Sequence, residues 1–248
     1  MDTSIVANAV LQKIEGIAEC RTEYEVTAVA KDVVEMLGAS WFVYLSQLPP
    51  ERFNDVDNFK YLIGCDPEFC RLYDQRKWMM NDPFIDYARS NLLPILRTQI
   101  KPLTKGQEEL LDACTKYGFR SGLVIPTHTS MEASKRIGLL YIGSSLPIEI
   151  GEPLLLRSRL LFSALASELL MWHCRFLKSE AMRQLSLVEE EVKILQLSKN
   201  GKAASEISAI MNIPRSKVYQ RISVIKDKFS VERIEHAVMQ AASRGLLG

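Results

Sequence analysis

The run Arg215-Ser216-Lys217-Val218-Tyr219-Gln220-Arg221 concentrates side chains that grip or read nucleic acid. Arg and Lys pair with guanine or phosphate, Gln pairs bidentately with adenine, and Ser and Tyr hydroxyls bond phosphate oxygens. From Arg215 to Lys228 the cations Arg215, Lys217, Arg221, Lys226 and Lys228 are opposed only by Asp227, whereas the whole chain carries a formal net charge of +1. The positive charge is therefore local, as phosphate binding requires. A structural bundle with merely solvated charges is the blander alternative, and the one-sided sign of the run argues against it. Lys202, farther upstream, and Lys228 are candidate phosphate contacts.

Such side chains need a helix to present them. Leu187, Val192, Ile194 and Leu195 form an apolar stripe at helical spacing, and Gly201 ends that helix. Ser205, Glu206, Ile207, Ile210 and Met211 supply a second helix, which Asn212-Ile213-Pro214 turns into a third. In the third, Val218, Ile222 and Ile225 face inward and leave the basic residues outside. This is the pattern of a helix-turn-helix, whose last helix enters a major groove. Ser186 with Glu189 is expected to cap the first helix as a capping box.

The remainder reads as a second domain. The chain has 248 residues, 47% of them hydrophobic, enough for two modest cores. Ile5 to Leu37 reads as an amphipathic helical pair stopped by Gly38, and Ala39 to Leu48 as a strand broken by Pro49-Pro50. Asn54 to Asn58 is loop, Tyr61 to Gly64 a short strand and Pro67 to Trp78 a helix. Gly118 to Pro126 and Ile137 to Ser144 read as a hairpin around a polar loop from His128 to Arg136. One long helix is expected from Glu152 to about Met182, with one apolar face for the sheet and another for a second subunit, then a linker at Gln184 to Ser186.

Other functions are disfavoured. No signal peptide opens the chain, and the apolar region Leu160 to Trp172 is short and interrupted by Glu168, so neither secretion nor a membrane is expected. Cys20, Cys65, Cys70, Cys114 and Cys174 lack metal-ligand spacing and read as reduced thiols, with redox sensing through Cys65 and Cys70 left open. His128, His173 and His236 fall in different elements with no nucleophile signature or phosphate-binding glycine loop, so neither an enzyme nor a bound metal or cofactor is expected.

The segment Leu187 to Leu247 resembles the C-terminal domain of LuxR-type transcription regulators. Glu191, Leu195 and Gly201 stand at that family's intervals, followed by Lys202, Glu206-Ile207-Ser208, Ile213, Val218 and Ile222. Lys228-Phe229-Ser230-Val231 matches its turn, and Ala237-Val238 to Gly245-Leu246-Leu247 its last helix and ending. Val188, Glu190 and Arg221 depart from the family's usual Thr, Arg and His. Phe69, Tyr73 and Asp82-Pro83 stand where relatives that sense acyl-homoserine lactones carry Trp, Tyr and Asp-Pro, and Tyr117-Gly118-Phe119-Arg120-Ser121-Gly122 matches a second motif. The likeness therefore extends from about residue 10 to 247.

The resemblance implies an α+β fold, with an α/β/α sandwich around a central antiparallel sheet as sensor and dimerisation domain over 1–183. An all-α helix-turn-helix domain follows over 184–248. It also implies a cytoplasmic homodimer that binds a palindromic operator in double-stranded DNA, with RNA polymerase as a further partner. In the family the Asp carboxylate accepts the signal's amide N–H, the Tyr hydroxyl donates to its acyl carbonyl and the Trp donates to the lactone. Asp82 and Tyr73 can fill the first two roles, but Phe69 has no donor and a second family Trp is replaced by Arg97. Three readings stay open: the lactone is held differently, through Arg97; the signal is another small molecule; or Arg97 pairs with an acid and the domain works without a ligand, for dimerisation or protein binding. Trp41, Phe42, Tyr44 and Gly122 are further candidate pocket residues, with Tyr141 shortening the pocket. Taken alone, Asp82 reads as a helix cap, Tyr73 as core, Gly122 as a backbone requirement and Arg97 as a surface charge.

Overall fold

The computed structural model describes residues 3–47, 60–129 and 136–247. The expected loops at Asn54–Asn58 and 130–135, and the residues Leu48 to Pro50, lie outside them. The chain divides into two compact units, Met1–Trp172 and His173–Gly248.

The first unit is built on an antiparallel sheet of order β2-β1-β5-β4-β3, formed by β1 (Trp41–Gln47), β2 (Lys60–Gly64), β3 (Ile95–Leu96), β4 (Ser121–His128) and β5 (Ile137–Ser144). β5 lies at its centre and is buried along its whole length, which its unbroken run of apolar and small residues permits. Register rows Val43–Tyr141–Val124 and Leu45–Leu139–Pro126 run across the three inner strands. On one face these rows meet α3 (Pro67–Gln75), α4 (Pro83–Ser90) and α5 (Lys105–Lys116) in a single core cluster that includes Phe69, Phe84, Leu110 and Tyr141. The other face is covered by α2 (Glu23–Met36), which packs on β1 and β2 and carries α1 (Thr3–Glu15) against itself, and by α7 (Arg159–Gln184), whose Leu170 reaches Gly138 beside the Tyr44 hydroxyl. The layers are helix, sheet, helix, as expected from the family resemblance.

Caps written in the sequence start these helices. Thr22 and Glu25 form a capping box on α2, Asp66 caps α3 and Thr104 caps α5. Gly38, at φ +80°, turns the chain out of α2 into β1 where a side chain would be strained.

The expected single helix from Glu152 is two, α6 (Ile148–Arg157) and α7, separated at Ser158. Pro153 stands sixth in α6, past its first turn, and forfeits one intrahelical hydrogen bond there. In α7, Phe162, Leu165, Ala166 and Leu169 are fully buried at helical spacing. Its length and composition would let it cross a bilayer, but this stripe makes it a core helix of the protein.

The second unit holds the end of α7 and α8 (Glu189–Lys199), α9 (Ala204–Met211), α10 (Arg215–Phe229) and α11 (Ile234–Ser243) around a core that includes Ile194, Leu195, Ile207, Val218, Ile225 and Phe229. Gly201 at φ +75° and Asn212 at φ +52° end α8 and α9, and Asn is among the few side chains that adopt this region readily. The expected Ser186–Glu189 capping box does not form. Ser186 ends α7 at φ +49°, and it is Glu191 that reaches back to the Val188 N–H at 3.0 Å. Val188 occupies the N-cap position and has no oxygen to offer, so only the Glu half of a box exists.

Candidate functional site

The chemistry of the first unit gathers where α3, α4 and α5 meet β1 and β5. After α3 the chain turns through Lys77 in the left-handed region and a single turn of 3-10 helix, Trp78–Asn81, and so delivers Asp82 to the start of α4. Asp82 caps that helix, with Oδ1 accepting from Phe84 N–H at 2.7 Å and Ile85 N–H at 3.4 Å, and Pro83 stands at the first helical position, where its missing donor costs nothing. The other oxygen, Oδ2, accepts a 2.7 Å hydrogen bond from the Tyr73 hydroxyl. Asp82 is thus a helix cap, as it reads taken alone, and it accepts the Tyr73 hydroxyl proton that the resemblance assigns to a signal's carbonyl.

Asp82 is only 5% exposed. Burial pushes its carboxyl up to about 6, with the bonds from Tyr73, Phe84 and Ile85 opposing the rise and Asp86 adding to it. The phenol of Tyr73 is raised well above its ordinary value, first by burial and then by the neighbouring Asp82 charge.

Beside this pair lies a cavity of about 60 Å³, room for a few waters. Phe69, Tyr73, Asp82 and Tyr141 line it, as the resemblance implied. Val43, Leu45, Phe84, Leu110 and Leu139 supply most of the apolar wall, joined by Tyr61, Cys70, Asp74 and Cys114. Phe69 packs in an aromatic group, its ring centroid 5.5 Å from that of Phe119 and 5.8 Å from that of Tyr117. Tyr141 stacks on Phe119 at 5.0 Å and 14° and lies 4.6 Å from Phe84. The Tyr141 hydroxyl is buried without a hydrogen-bond partner among the described residues; the Cys114 thiol is close enough to feel it but lies outside bonding geometry.

The other sequence candidates stand elsewhere. Alternation along β1 places Trp41 on the cavity side, where its indole N–H meets Ser145 Oγ at 3.4 Å, and turns Phe42 and Tyr44 to the opposite face. Pro83 is behind Asp82 and outside the lining. Arg97 is neither a surface charge nor paired with an acid. Its guanidinium donates to Arg120 O at 3.1 Å, Leu111 O at 2.6 Å and Thr115 Oγ1 at 2.6 Å, tying α5 to the approach to β4. Gly122 acts through its lack of a side chain, since a Cβ there would stand 2.6 Å from the Tyr141 ring. The missed residues Val43 and Leu45 were legible from strand alternation, whereas Leu110 and Cys114 belong to α5, whose apolar face is too sparse to stand out among its charges.

In the second unit α10 presents Arg215, Ser216, Lys217, Tyr219 and Gln220 to solvent. Arg221 is half-buried, bonded to Glu190 at 2.8 Å, and Lys217 meets the same carboxylate at 3.2 Å. Lys217 holds the Glu190 carboxyl below its ordinary range by hydrogen bonding, with Arg221 adding to the effect. The charge run that was one-sided along the sequence is therefore partly answered in space. Lys202 pairs with Glu206 at 3.0 Å. Lys228 is turned inward to Glu191 at 2.7 Å and to Ser186 O at 2.6 Å; Glu191 is 1% exposed, and a buried carboxylate requires such a partner.

Among the described residues no group of His, Cys, Asp or Glu could hold a metal ion. His128, of β4, meets Asn91 O at 3.2 Å, while His173 and His236 lie on α7 and α11.

Residues 22–168 match the family model described as the autoinducer binding domain. Two curated relatives, the transcriptional activator proteins AhyR of Aeromonas hydrophila and AsaR of Aeromonas salmonicida, are each 24% identical over 198 residues, spanning 74% of this chain and 71% of theirs. Among solved structures, Escherichia coli SdiA superposes with a TM-score of 0.64 at 18% identity over 97% of this chain and 98% of its own. SdiA in complex with octanoyl-rac-glycerol gives 0.63 at 17% identity over 100% and 97%. CepR2 of Burkholderia cenocepacia, an N-acylhomoserine-lactone-dependent LuxR family factor, gives 0.54 at 14% identity over 66% and 92%. The solved structures support the fold, and the family model spans more than half of the sequence: the chain belongs to the autoinducer-binding-domain family, in keeping with its resemblance to LuxR-type regulators.

Proposed function

We propose that this protein is a DNA-binding transcription regulator of the quorum-sensing type, controlled by a small molecule held between Tyr73, Asp82 and Tyr141. The observation that carries this reading is the Tyr73–Asp82 hydrogen bond, buried beside an otherwise apolar cavity, with an unpartnered Tyr141 hydroxyl opposite. A signal with an N–H or O–H donor bonds Asp82, and an acceptor on it satisfies the Tyr141 hydroxyl, or Tyr73 once that hydroxyl turns away from Asp82. Phe69, in the aromatic core, has no donor for a lactone, and Arg97 stands outside the cavity lining with its terminal nitrogens bonded to Arg120 O, Leu111 O and Thr115 Oγ1. The signal is accordingly an acyl-homoserine lactone held in a different way or a related acyl compound; an acylglycerol, such as the one in the SdiA complex, has the required donors.

In this reading residues 1–183 sense and dimerise, and 184–248 bind a palindromic operator in the cytoplasm. Arg215, Ser216, Tyr219 and Gln220 make the direct contacts, Lys217, Arg221 and Lys202 join after exchanging their carboxylate partners for phosphate or base, and Lys228 serves mainly to hold the module together. RNA polymerase is the further partner, and no step is catalytic.

The small cavity favours a second reading, in which the N-terminal domain dimerises without any signal. Thermal shift separates the two. A signal at a hundred times its Kd adds about 2.7 kcal/mol to the folded state, or roughly 5–11 °C for a protein of this size. A rise with an acyl-homoserine lactone or an acylglycerol that disappears in Asp82→Ala supports the sensor. No rise with either class, from protein that already binds palindromic DNA, supports the second reading.

A further inference from the structure

The start of α3 carries a feature that signal binding does not use. Cys65, at the end of β2, and Cys70, in the first turns of α3, bring their sulfurs to 3.7 Å in a shared hydrogen bond. Both side chains are partly exposed, and Cys70 also forms part of the cavity wall. We propose that Cys65 and Cys70 are an oxidisable dithiol, which a hydroperoxide converts into an intramolecular disulfide at the wall of the Tyr73–Asp82 cavity.

The two thiols are differentiated for this chemistry. The hydrogen bond from Cys65 holds the Cys70 thiol below its ordinary value, and the same bond, with burial, holds Cys65 far above. Cys70, in the first turn of α3 where the helix dipole favours an anion, therefore supplies the thiolate, its own proton having gone to water. Elsewhere burial pushes Cys20 up and Cys114 to about 12.

The Cys70 thiolate attacks one peroxide oxygen. An S–O bond forms, the O–O bond breaks, and the departing oxygen takes a proton and leaves as water or an alcohol. Cys65 then attacks the sulfenic sulfur of Cys70; the S–S bond forms, the S–O bond breaks, and hydroxide leaves with the Cys65 proton as water. Two thiols give up two electrons and two protons, and one hydroperoxide is reduced. The sulfurs need approach by only about 1.7 Å to reach bonding distance. That movement withdraws Cys70 from the cavity wall and fixes the β2–α3 junction.

Trypsin tests this directly, because Lys60 and Arg71 bracket one peptide that contains both cysteines. The full-length protein is treated with hydrogen peroxide, alkylated, digested and weighed, and the same is done in urea. In the native protein the 61–71 peptide is expected two hydrogens lighter, unalkylated, and restored by dithiothreitol, at a rate at least tenfold above that in urea. Cys65→Ser should instead leave a sulfenic acid on Cys70 that dimedone traps. Alkylation at both positions, a bridge to Cys20, Cys114 or Cys174, or equal rates in the native and unfolded chains would each overturn the proposal. None of these readouts requires a signal to bind, so failure of the sensor reading leaves the outcome intact.

Discussion

Replacing Asp82 by Asn should stabilise the protein at neutral pH while disabling its response to a signal. The carboxyl titrates at about 6 against an ordinary value of 3.8, a displacement worth about 3 kcal/mol. Because the folded state binds the proton more tightly, it holds more protons than the unfolded chain between those two values. Unfolding free energy contributed by Asp82 therefore falls as pH rises from about 4 to about 6 and is level above that. Asn approximates the neutral acid: its oxygen can still accept from Phe84 N–H, and its amide can donate to the Tyr73 oxygen. The variant should match the wild type near pH 4 and exceed it by up to about 3 kcal/mol at pH 8. Trp41, Trp78 and Trp172 all belong to the first unit, and Trp78 lies edge-on to Tyr73 at 6.2 Å, so tryptophan fluorescence in urea reports this domain alone. Subtracting the two stability curves removes every other titrating group. A difference that does not vary with pH, or an Asn variant weaker at pH 8, would refute the reasoning.

Signal affinity in the wild type should rise as pH increases through about 6, since the ionised carboxylate is the better acceptor; isothermal titration at pH 5 and 8 checks it, and a flat profile would remove Asp82 from the site. Glu190→Gln releases Lys217 and Arg221, so operator and non-specific DNA should both bind more tightly and the slope of log K against log salt should steepen by about 1; fluorescence anisotropy over a salt series measures this, with an unchanged slope as the contrary result. Lys228→Met leaves the buried Glu191 with only the Val188 N–H and the 3.9 Å approach of Arg221, and should destabilise the C-terminal unit by up to about 3–5 kcal/mol in chemical denaturation, most of it recovered when Glu191→Gln is added. Gly122→Ala drives a methyl into the Tyr141 ring and should cost about 1–3 kcal/mol, with Tyr141→Leu in the same chain as the rescue; an additive double variant would mean that the two positions do not touch.

The fold was legible where local signals agree with packing. Apolar periodicity, Gly201 and Asn212-Ile213-Pro214 marked the C-terminal helices to within a few residues, and β5 was delimited from Ile137 to Ser144 by its unbroken apolar run. Elements whose amphipathicity is diluted were harder to read. α5 carries its core positions Leu110 and Cys114 among lysines and glutamates, and α4 is only one strongly capped short helix. Beside the cavity, Tyr73 and Asp82 were singled out by the family resemblance, since taken alone they read as a core tyrosine and a helix cap. The setting of Arg97 was not legible because two of its three partners are main-chain carbonyls, which have no letter in the sequence. Glu190 escaped notice for a related reason: it lies about thirty residues from the cations it neutralises, and only the fold of α8 against α10 brings them together.

Lys228 gives the C-terminal unit a mechanical property. Its ammonium fastens the far end of α10 to the carbonyl of Ser186, where α7 ends, and to Glu191, whose other carboxylate oxygen approaches Arg221. Three segments are thus pinned at one point by bonds that are short and largely sheltered from water. A twist applied to the last turn of α7 cannot be absorbed as play at the junction; it is passed to α10 as a rotation of the whole helix. α10 accordingly turns as one stiff piece with α8 and the end of α7.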